Sequence, residues 1–265
     1  MSKNLINLSL ILPTINESEN LKKLIPEIVI ELSDSNVNNY EILVLDDGST
    51  DDTVSFIEEL HKTNSNIILN NRTGEPSLPK AIFDGIVQSK YEYVMWLDAD
   101  GSMPAKTIRE MVNKQAEQVD AVIIGSRFVE GGGYKGIQQI GQTSFLSAIK
   151  NVKNSNDSVF GMIASTLFNK FLILILSSDI KDLTSGFIVG KKRNFSKEIF
   201  LKSSYGEYFI YLVTHLIANN VQIHELGYVC ETRIHGESKT ASSLRQLVNR
   251  GIPYINAAII CRRKK

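Results

Sequence analysis

The chain reads as an α/β protein built on a mostly parallel, doubly wound sheet. Apolar runs of strand length alternate with helical segments from Leu8 to Ile124, and that rhythm implies parallel strands joined by crossover helices. The runs are continuously apolar, as strands buried on both faces must be. Acidic and polar clusters close three of them, on what would be one edge of the sheet.

The elements follow in order. Leu8 to Leu12 is strand one, stopped by Pro13. Asn16-Glu17-Ser18-Glu19 opens a helix to about Leu32, with cap-type residues and acids in its first turn. Ile42 to Leu45 is strand two, ended by Asp46-Asp47-Gly48-Ser49-Thr50-Asp51. A helix over Asp52 to His61 follows, then a short strand at Ile67 to Leu69 and a third helix at Ala81 to Ser89. Val94 to Leu97 is strand four and Ala121 to Ile124 strand five. No internal repeat or low-complexity linker divides the chain, and 265 residues suit one large domain with appendages.

Composition narrows the setting. Cys230 and Cys261 offer neither a disulfide framework nor metal-ligand spacing, which fits a reducing, cytoplasmic compartment. The N-terminus shows no charged region followed by an apolar one, so secretion is not expected. Formal charge is zero, with 29 basic and 29 acidic residues, but the balance is uneven. From Thr232 onward eight Lys or Arg face one acid, Glu237. That basic end suits a phosphate-bearing partner or an anionic membrane surface. Val159 to Ser178 is the most span-like stretch, yet Lys170 in its middle would cost about 3 kcal/mol on insertion. Ile163, Leu167, Lys170, Phe171 and Leu174 recur at helical spacing, so an amphipathic helix is expected, either in the core or on a membrane surface. Leu244, Leu247, Val248, Ile252, Ile255 and Ile259 form a similar stripe, interrupted by Pro253 and followed by Arg262-Arg263-Lys264-Lys265. It reads as an interfacial segment, 241–265, appended to a domain over 1–240.

Chemistry concentrates at the strand ends. Strand four ends on Asp98-Ala99-Asp100, two carboxylates suited to Mg²⁺ or Mn²⁺ shared with a diphosphate. Strand one ends on Pro13-Thr14-Ile15-Asn16-Glu17 and strand two on Asp46-Asp47-Gly48-Ser49-x-Asp51. Taken singly, each cluster is an ordinary turn or cap. Jointly they suggest a pocket in which carboxylates accept from a nucleobase and ribose. No phosphate-binding Gly-x-x-x-x-Gly-Lys loop or Gly-x-Gly-x-x-Gly fingerprint is present, which argues against NTP hydrolysis and dinucleotide redox chemistry. No nucleic acid is expected among the partners.

These three clusters resemble the family 2 glycosyltransferases, which have a GT-A (Rossmann-like) fold. Gly125-Ser126-Arg127-Phe128-Val129-x-Gly131-Gly132, Asp182-x-Thr184-Ser185-Gly186-Phe187 and Arg233-x-x-Gly236-x-Ser238-Lys239 resemble the dolichol-phosphate mannosyltransferase branch. The resemblance runs from about Leu8 to Thr240 and implies transfer of a sugar from a nucleotide donor to a polyprenyl phosphate. It implies a donor site at Pro13, Thr14, Asn16, Glu17, Asp46, Asp47, Ser49, Asp98, Ala99 and Asp100, with Asp98 and Asp100 toward the metal. It implies an acceptor-phosphate site at Arg127, Ser165, Arg233 and Lys239, and a catalytic set of Asp98, Asp100, Arg127 and Asp182. Asp182 could equally be the cap of its own turn, and Glu207 either a helix-start carboxylate or a contact to the donor sugar.

The chain departs from the family pattern in places. Ser102 stands where many relatives have a metal-side Gln, Gly161 where many have an Arg, and Ser77-Leu78-Pro79 where a Gly-Leu-Gly turn is usual. The 135–158 segment is longer than usual and reads either as a mobile acceptor loop or as a disordered insertion, with mobility favoured and no purpose assigned. The paired C-terminal transmembrane helices of some relatives have no counterpart, so membrane contact is expected from amphipathic helices, a membrane-protein partner or a homodimer.

The acceptor decides the mechanism. A sugar hydroxyl needs a general base. A phosphate monoester, with a second pKa of about 6, is already largely dianionic at neutral pH. Positioning and charge neutralisation would then suffice, with inversion at the anomeric carbon. Two other readings stay open: a polysaccharide or protein acceptor, without the Gln-x-x-Arg-Trp motif of processive synthases, and a non-catalytic nucleotide-sugar or lipid binder. GDP-mannose and several UDP-sugars all remain eligible donors.

Overall fold

A computed structural model describes residues 4–134, 156–231 and 244–263. The first half runs β1 (Ile6–Thr14), α1 (Ser18–Ser33), β2 (Val37–Asp46), α2 (Thr53–Thr63), β3 (Ile67–Asn71), α3 (Leu78–Gln88), β4 (Tyr93–Trp96), α4 (Ala105–Glu117), β5 (Val122–Ser126) and β6 (Gly133–Tyr134). The second half adds α5 (Asn156–Leu176), β7 (Ile188–Lys191), α6 (Lys197–Leu201), α7 (Tyr208–Ala218), β8 (Ile223–Gly227), β9 (Val229–Cys230) and α8 (Leu244–Arg262).

The main sheet has the order β3-β2-β1-β4-β7-β5-β8. Its pairings are parallel except at β7, which runs antiparallel to both β4 and β5. The two-residue strands β6 and β9 pair in parallel beside it.

Strand alternation divides the core into two layers. Leu8, Leu10 and Leu12 of β1, with Met95 of β4 and Ile123 of β5, pack on one side against α1 and α4. Ile11, Val94, Trp96, Val122 and Ile124 point to the other side and meet α3, α5, α6, α7 and α8. Apolar side chains are therefore required at consecutive positions, which is why the strands lack a polar alternation.

Strand one outruns its expected end. β1 continues through Pro13, in register with Leu45, to Thr14. The Thr14 carbonyl accepts from Asp47 N on the β2 side, so Pro13 faces the β4 side. There the ladder has already ended at Ile11 and Trp96, so the missing N–H breaks no strand bond. Helix α8 likewise runs through Pro253 rather than ending there. The cost is one i→i−4 bond, to the Asn249 carbonyl.

Strands β6, β7, β8 and β9 and helices α4 and α6 have no counterpart in the sequence expectation, and of α7 the sequence offers only the helix-start reading of Glu207. β7 is only four residues long and includes Gly190, while β8 (Ile223-His224-Glu225-Leu226-Gly227) is half-buried throughout. Neither makes an apolar run. Helix α5 begins at Asn156 and so takes in the end of the segment expected to be an acceptor loop; residues 135–155 lie outside the described residues. Among the described residues no helix is long and apolar enough to cross a membrane.

The packing leaves little slack where α3 crosses β1 and β2. A Cβ at Gly85 would lie 2.6 Å from Ile11 Cγ2 and 3.1 Å from Leu45 Cδ2. Gly85→Ala should destabilise the protein by about 1–3 kcal/mol through overpacking, read from the midpoint of a urea titration.

Candidate active site

The ends of β1 and β2 are sewn together by short polar side chains. Asp46, buried at the end of β2, accepts from the N–H groups of Gly48 and Ser49 at 3.0 and 2.9 Å and from the Ser49 hydroxyl. Gly48 has φ +87°, a backbone state that a side chain would strain. Asn16, at φ +55°, donates its N–H to Ser49 Oγ at 2.7 Å and accepts from Thr50 N at 2.7 Å. Thr53 Oγ1 accepts from Glu17 N at 3.1 Å and donates to Asp51. Burial works to raise the Asp51 carboxyl, but hydrogen bonds from Thr53 and Ser18 outweigh it and hold it below the usual range. The Thr14 hydroxyl turns back to the Leu12 carbonyl at 2.9 Å.

Asp47 has a different fate from Asp46. It pairs with Arg72, whose side chain is 8% exposed, and accepts from Ser77 N at 2.9 Å. Arg72 also reaches Asp84 at 2.9 Å. Asp47 therefore ties β3 and the start of α3 to the β2 edge.

The Asp98-Ala99-Asp100 turn follows β4 on the same edge of the sheet. Asp100, 5% exposed, accepts from Ser102 N at 2.9 Å across Gly101, which has φ +76°. Ser102, at the place of the family's Gln, also accepts Glu231 N on its carbonyl at 2.9 Å, which draws the end of β9 onto the turn. Among the described residues no group of three His, Cys, Asp or Glu is arranged to hold a metal. Asp98 and Asp100 still fit a hard divalent ion that keeps waters and takes its other oxygens from a diphosphate.

A second cluster forms beyond β5. Arg127 donates Nε to Asp182 Oδ2 and Nη2 to Asp182 Oδ1, both at 2.8 Å, while its backbone N–H bonds the same carboxylate at 3.0 Å. Nη2 also reaches Thr184 Oγ1 at 2.7 Å. Burial alone would lower the Arg127 pKa, but the Asp182 charge more than reverses that and holds the guanidinium firmly protonated. Asp182 is fully buried. Its loop is clamped twice: Glu225 accepts Lys181 N and Asp182 N at 2.8 and 3.0 Å, and Asn169 bridges the Lys181 carbonyl and Leu183 N at 2.5 and 2.9 Å.

The Arg127 guanidinium lies 5.8 Å from the Tyr134 ring, and the Tyr134 hydroxyl bonds Ser165 Oγ at 3.1 Å. Ser165 is thus brought to Arg127 through Tyr134. Cys230 links the two clusters. Burial pushes its thiol up to about 11, the carboxylates of Asp100, Asp98 and Asp182 add to the rise, and Arg127 opposes it. Glu207 accepts from Ser204 N, Ser204 Oγ and Tyr205 N at 2.7–2.9 Å and so holds the turn that starts α7. Arg233 and Lys239 lie outside the described residues.

Sequence reasoning missed Glu225, Tyr134 and Tyr208. The Tyr208 hydroxyl accepts from the Trp96 indole N–H at 2.9 Å, two residues before Asp98. Only the placement of an acid within β8 could have signalled Glu225. Because Asp182→Ala strands a buried guanidinium, it should cost about 3–5 kcal/mol of folding free energy, measured by denaturant titration.

The geometry has relatives. The model for glycosyl transferase family 2 matches residues 9–197. Poly(ribitol-phosphate) beta-N-acetylglucosaminyltransferase TarP of Staphylococcus aureus is 27% identical over 82% of this chain and 66% of its own length. Dolichol-phosphate mannosyltransferases of Pyrococcus furiosus and Saccharomyces cerevisiae are 34% and 27% identical over 48% of the chain, the match spanning 35% and 47% of their lengths. In three dimensions, glucosyl-3-phosphoglycerate synthase from Mycobacterium tuberculosis, solved with Mn²⁺, UDP and phosphoglyceric acid, superposes with a TM-score of 0.64. At 16% identity over 97% of this chain and 78% of that one, it shares the fold, which is GT-A-like as expected. The family match covers most of the sheet and the carboxylate-bearing ends of β1, β2 and β4, and the chain belongs to glycosyl transferase family 2.

Proposed function

We propose that the protein is a metal-dependent, inverting glycosyltransferase that moves a hexose from GDP-mannose or a UDP-sugar to a polyprenyl phosphate. The observation that carries the acceptor is a juxtaposition on α5. Ser165 of this helix joins the Arg127 corner through Tyr134, while Leu167, Phe171 and Leu174 farther along it are 62%, 46% and 73% exposed. Helix α8, packed on α5, adds exposed Ile252, Ile259 and Ile260. The one helix thus carries both a link to the Arg127 corner and an exposed apolar stripe that could take a lipid chain.

The state of the acids supports the same acceptor. Asp182 and Glu207 each accept several hydrogen bonds and so hold structure. A dianionic phosphate needs no base. Arg127, fixed by Asp182 before any substrate arrives, would orient the acceptor phosphate, and Ser165 would donate to it. Asp98 and Asp100 would hold Mg²⁺ or Mn²⁺, which when bound neutralises charge on the nucleoside diphosphate. The apolar face with exposed Lys170 and Arg263 would seat the enzyme on the anionic cytoplasmic leaflet, alone or with a membrane-protein partner or second copy.

Purified protein given Mn²⁺, a short polyprenyl phosphate and a panel of GDP- and UDP-sugars should release nucleoside diphosphate only when the lipid phosphate is present. EDTA, or Asp100→Ala, should lower that turnover by about a hundredfold or more. Donor binding without lipid-dependent release would exclude this acceptor and favour a polysaccharide or protein acceptor.

A further inference from the structure

Helix α8 reaches the site with Tyr254. Its ring stands edge-on to Phe168 of α5, with centroids 5.8 Å apart and planes at 77°. One turn earlier Gly251 lets α8 approach the same ring, its Cβ position 3.3 Å from Phe168 Cε2. The tyrosyl hydroxyl then seats on Gly206. A Cβ there would overlap the hydroxyl and lie 3.0 Å from Cζ. Gly206 does not have a positive φ, so this seat is the reason visible for a glycine at that position.

The seat touches a turn that matters. Glu207 fixes Ser204 and Tyr205 by three hydrogen bonds, and Tyr208 follows at once. Tyr208 is buried, accepts from Trp96 at 2.9 Å, and lies 3.4 Å from a Cβ built on Gly186 of the loop that carries Asp182. Trp96 ends β4, and Asp98 comes two residues later. Burial pushes the Tyr254 phenol far above its ordinary range; Tyr205, Glu207 and Asp98 raise it further and Arg127 opposes them. Both charged clusters are thus within electrostatic reach.

We infer that Tyr254 is a positioning residue of the transfer site. Pressed on Gly206, it holds the Ser204–Tyr208 turn against Trp96 and so sets where Asp98 stands. The C-terminal helix then completes the site rather than merely covering the core. This rests on the glycosyltransferase reading but not on the lipid acceptor.

A size swap tests it. In the 265-residue chain, Gly206→Ala expels the hydroxyl, and adding Tyr254→Phe removes the oxygen that the new methyl overlaps, leaving Cζ 3.0 Å away. Turnover is followed as nucleoside diphosphate release with whichever acceptor, including water, supports it in the wild type. Wild-type release without any need for lipid phosphate would therefore sink the lipid acceptor and leave the swap readable. Gly206→Ala should lower kcat about tenfold, with the donor KM within about twofold and the thermal midpoint near wild type. The double variant should recover part of that loss. Wild-type kcat in Gly206→Ala, a double variant no better than the single, or a kcat loss that only follows loss of folded protein would each overturn the inference.

Discussion

The Arg127–Asp182 pair is the constraint around which the second half of the molecule is arranged. Two charges removed from water are tolerated only if nearly every polar atom finds a partner. Here the carboxylate takes Arg127 Nε, Nη2 and backbone N–H, and Thr184 N as well, at 3.1 Å. Each bond fixes a different piece of chain: the end of β5, and the loop that leads into β7. Glu225 of β8 and Asn169 of α5 also hold that loop. Ser185 then bonds the Gly125 carbonyl at 2.5 Å, closing the loop back onto β5. The antiparallel entry of β7 between β4 and β5 is thus locked by polar bonds at its leading end and by Phe187, Ile188 and Val189 in the core beyond.

Pairing also changes what Arg127 can do. A guanidinium neutralised by a buried carboxylate is a poor long-range attractor of anions, but it is a rigid, oriented donor. Its role toward an acceptor phosphate would be geometric. Attraction of two anionic substrates to one edge would have to come from other cations, and the sequence has a supply in the basic stretch after Thr232.

How legible this was depends on whether a signal is local. The parallel strands could be read because burial on both faces forces consecutive apolar residues, and the acids at their ends could be read because a strand must stop somewhere polar. Roles within those acids could not. Asp46 and Asp47 are adjacent, yet one knits its own turn while the other pairs with Arg72, which is 25 residues away in sequence. The partner of Arg127 is 55 residues away, and nothing in the spacing names it. The short strands β7 and β8 escaped for a related reason, since a four-residue strand with a glycine, and a half-buried strand with His and Glu, carry no periodic signature. Pro13 misled because a proline stops a strand only where its N–H would have been needed.

The two halves of the site consequently differ in how they are built. The edge formed by β1 and β2 is stitched by residues close together in sequence or on neighbouring loops, so its geometry follows from a short segment of chain. The edge around Arg127 draws on β5, β6, α5, the loop before β7, α7, β8, β9 and α8, with Glu207, Tyr208, Glu225 and Tyr254 all beyond the residue-197 limit of the family match. A substitution in the first half acts on a local turn; one in the second is felt through several packed elements at once. If the proposed roles hold, donor binding would rest on a compact local turn, whereas an acceptor at Arg127 would be held by every element that meets there.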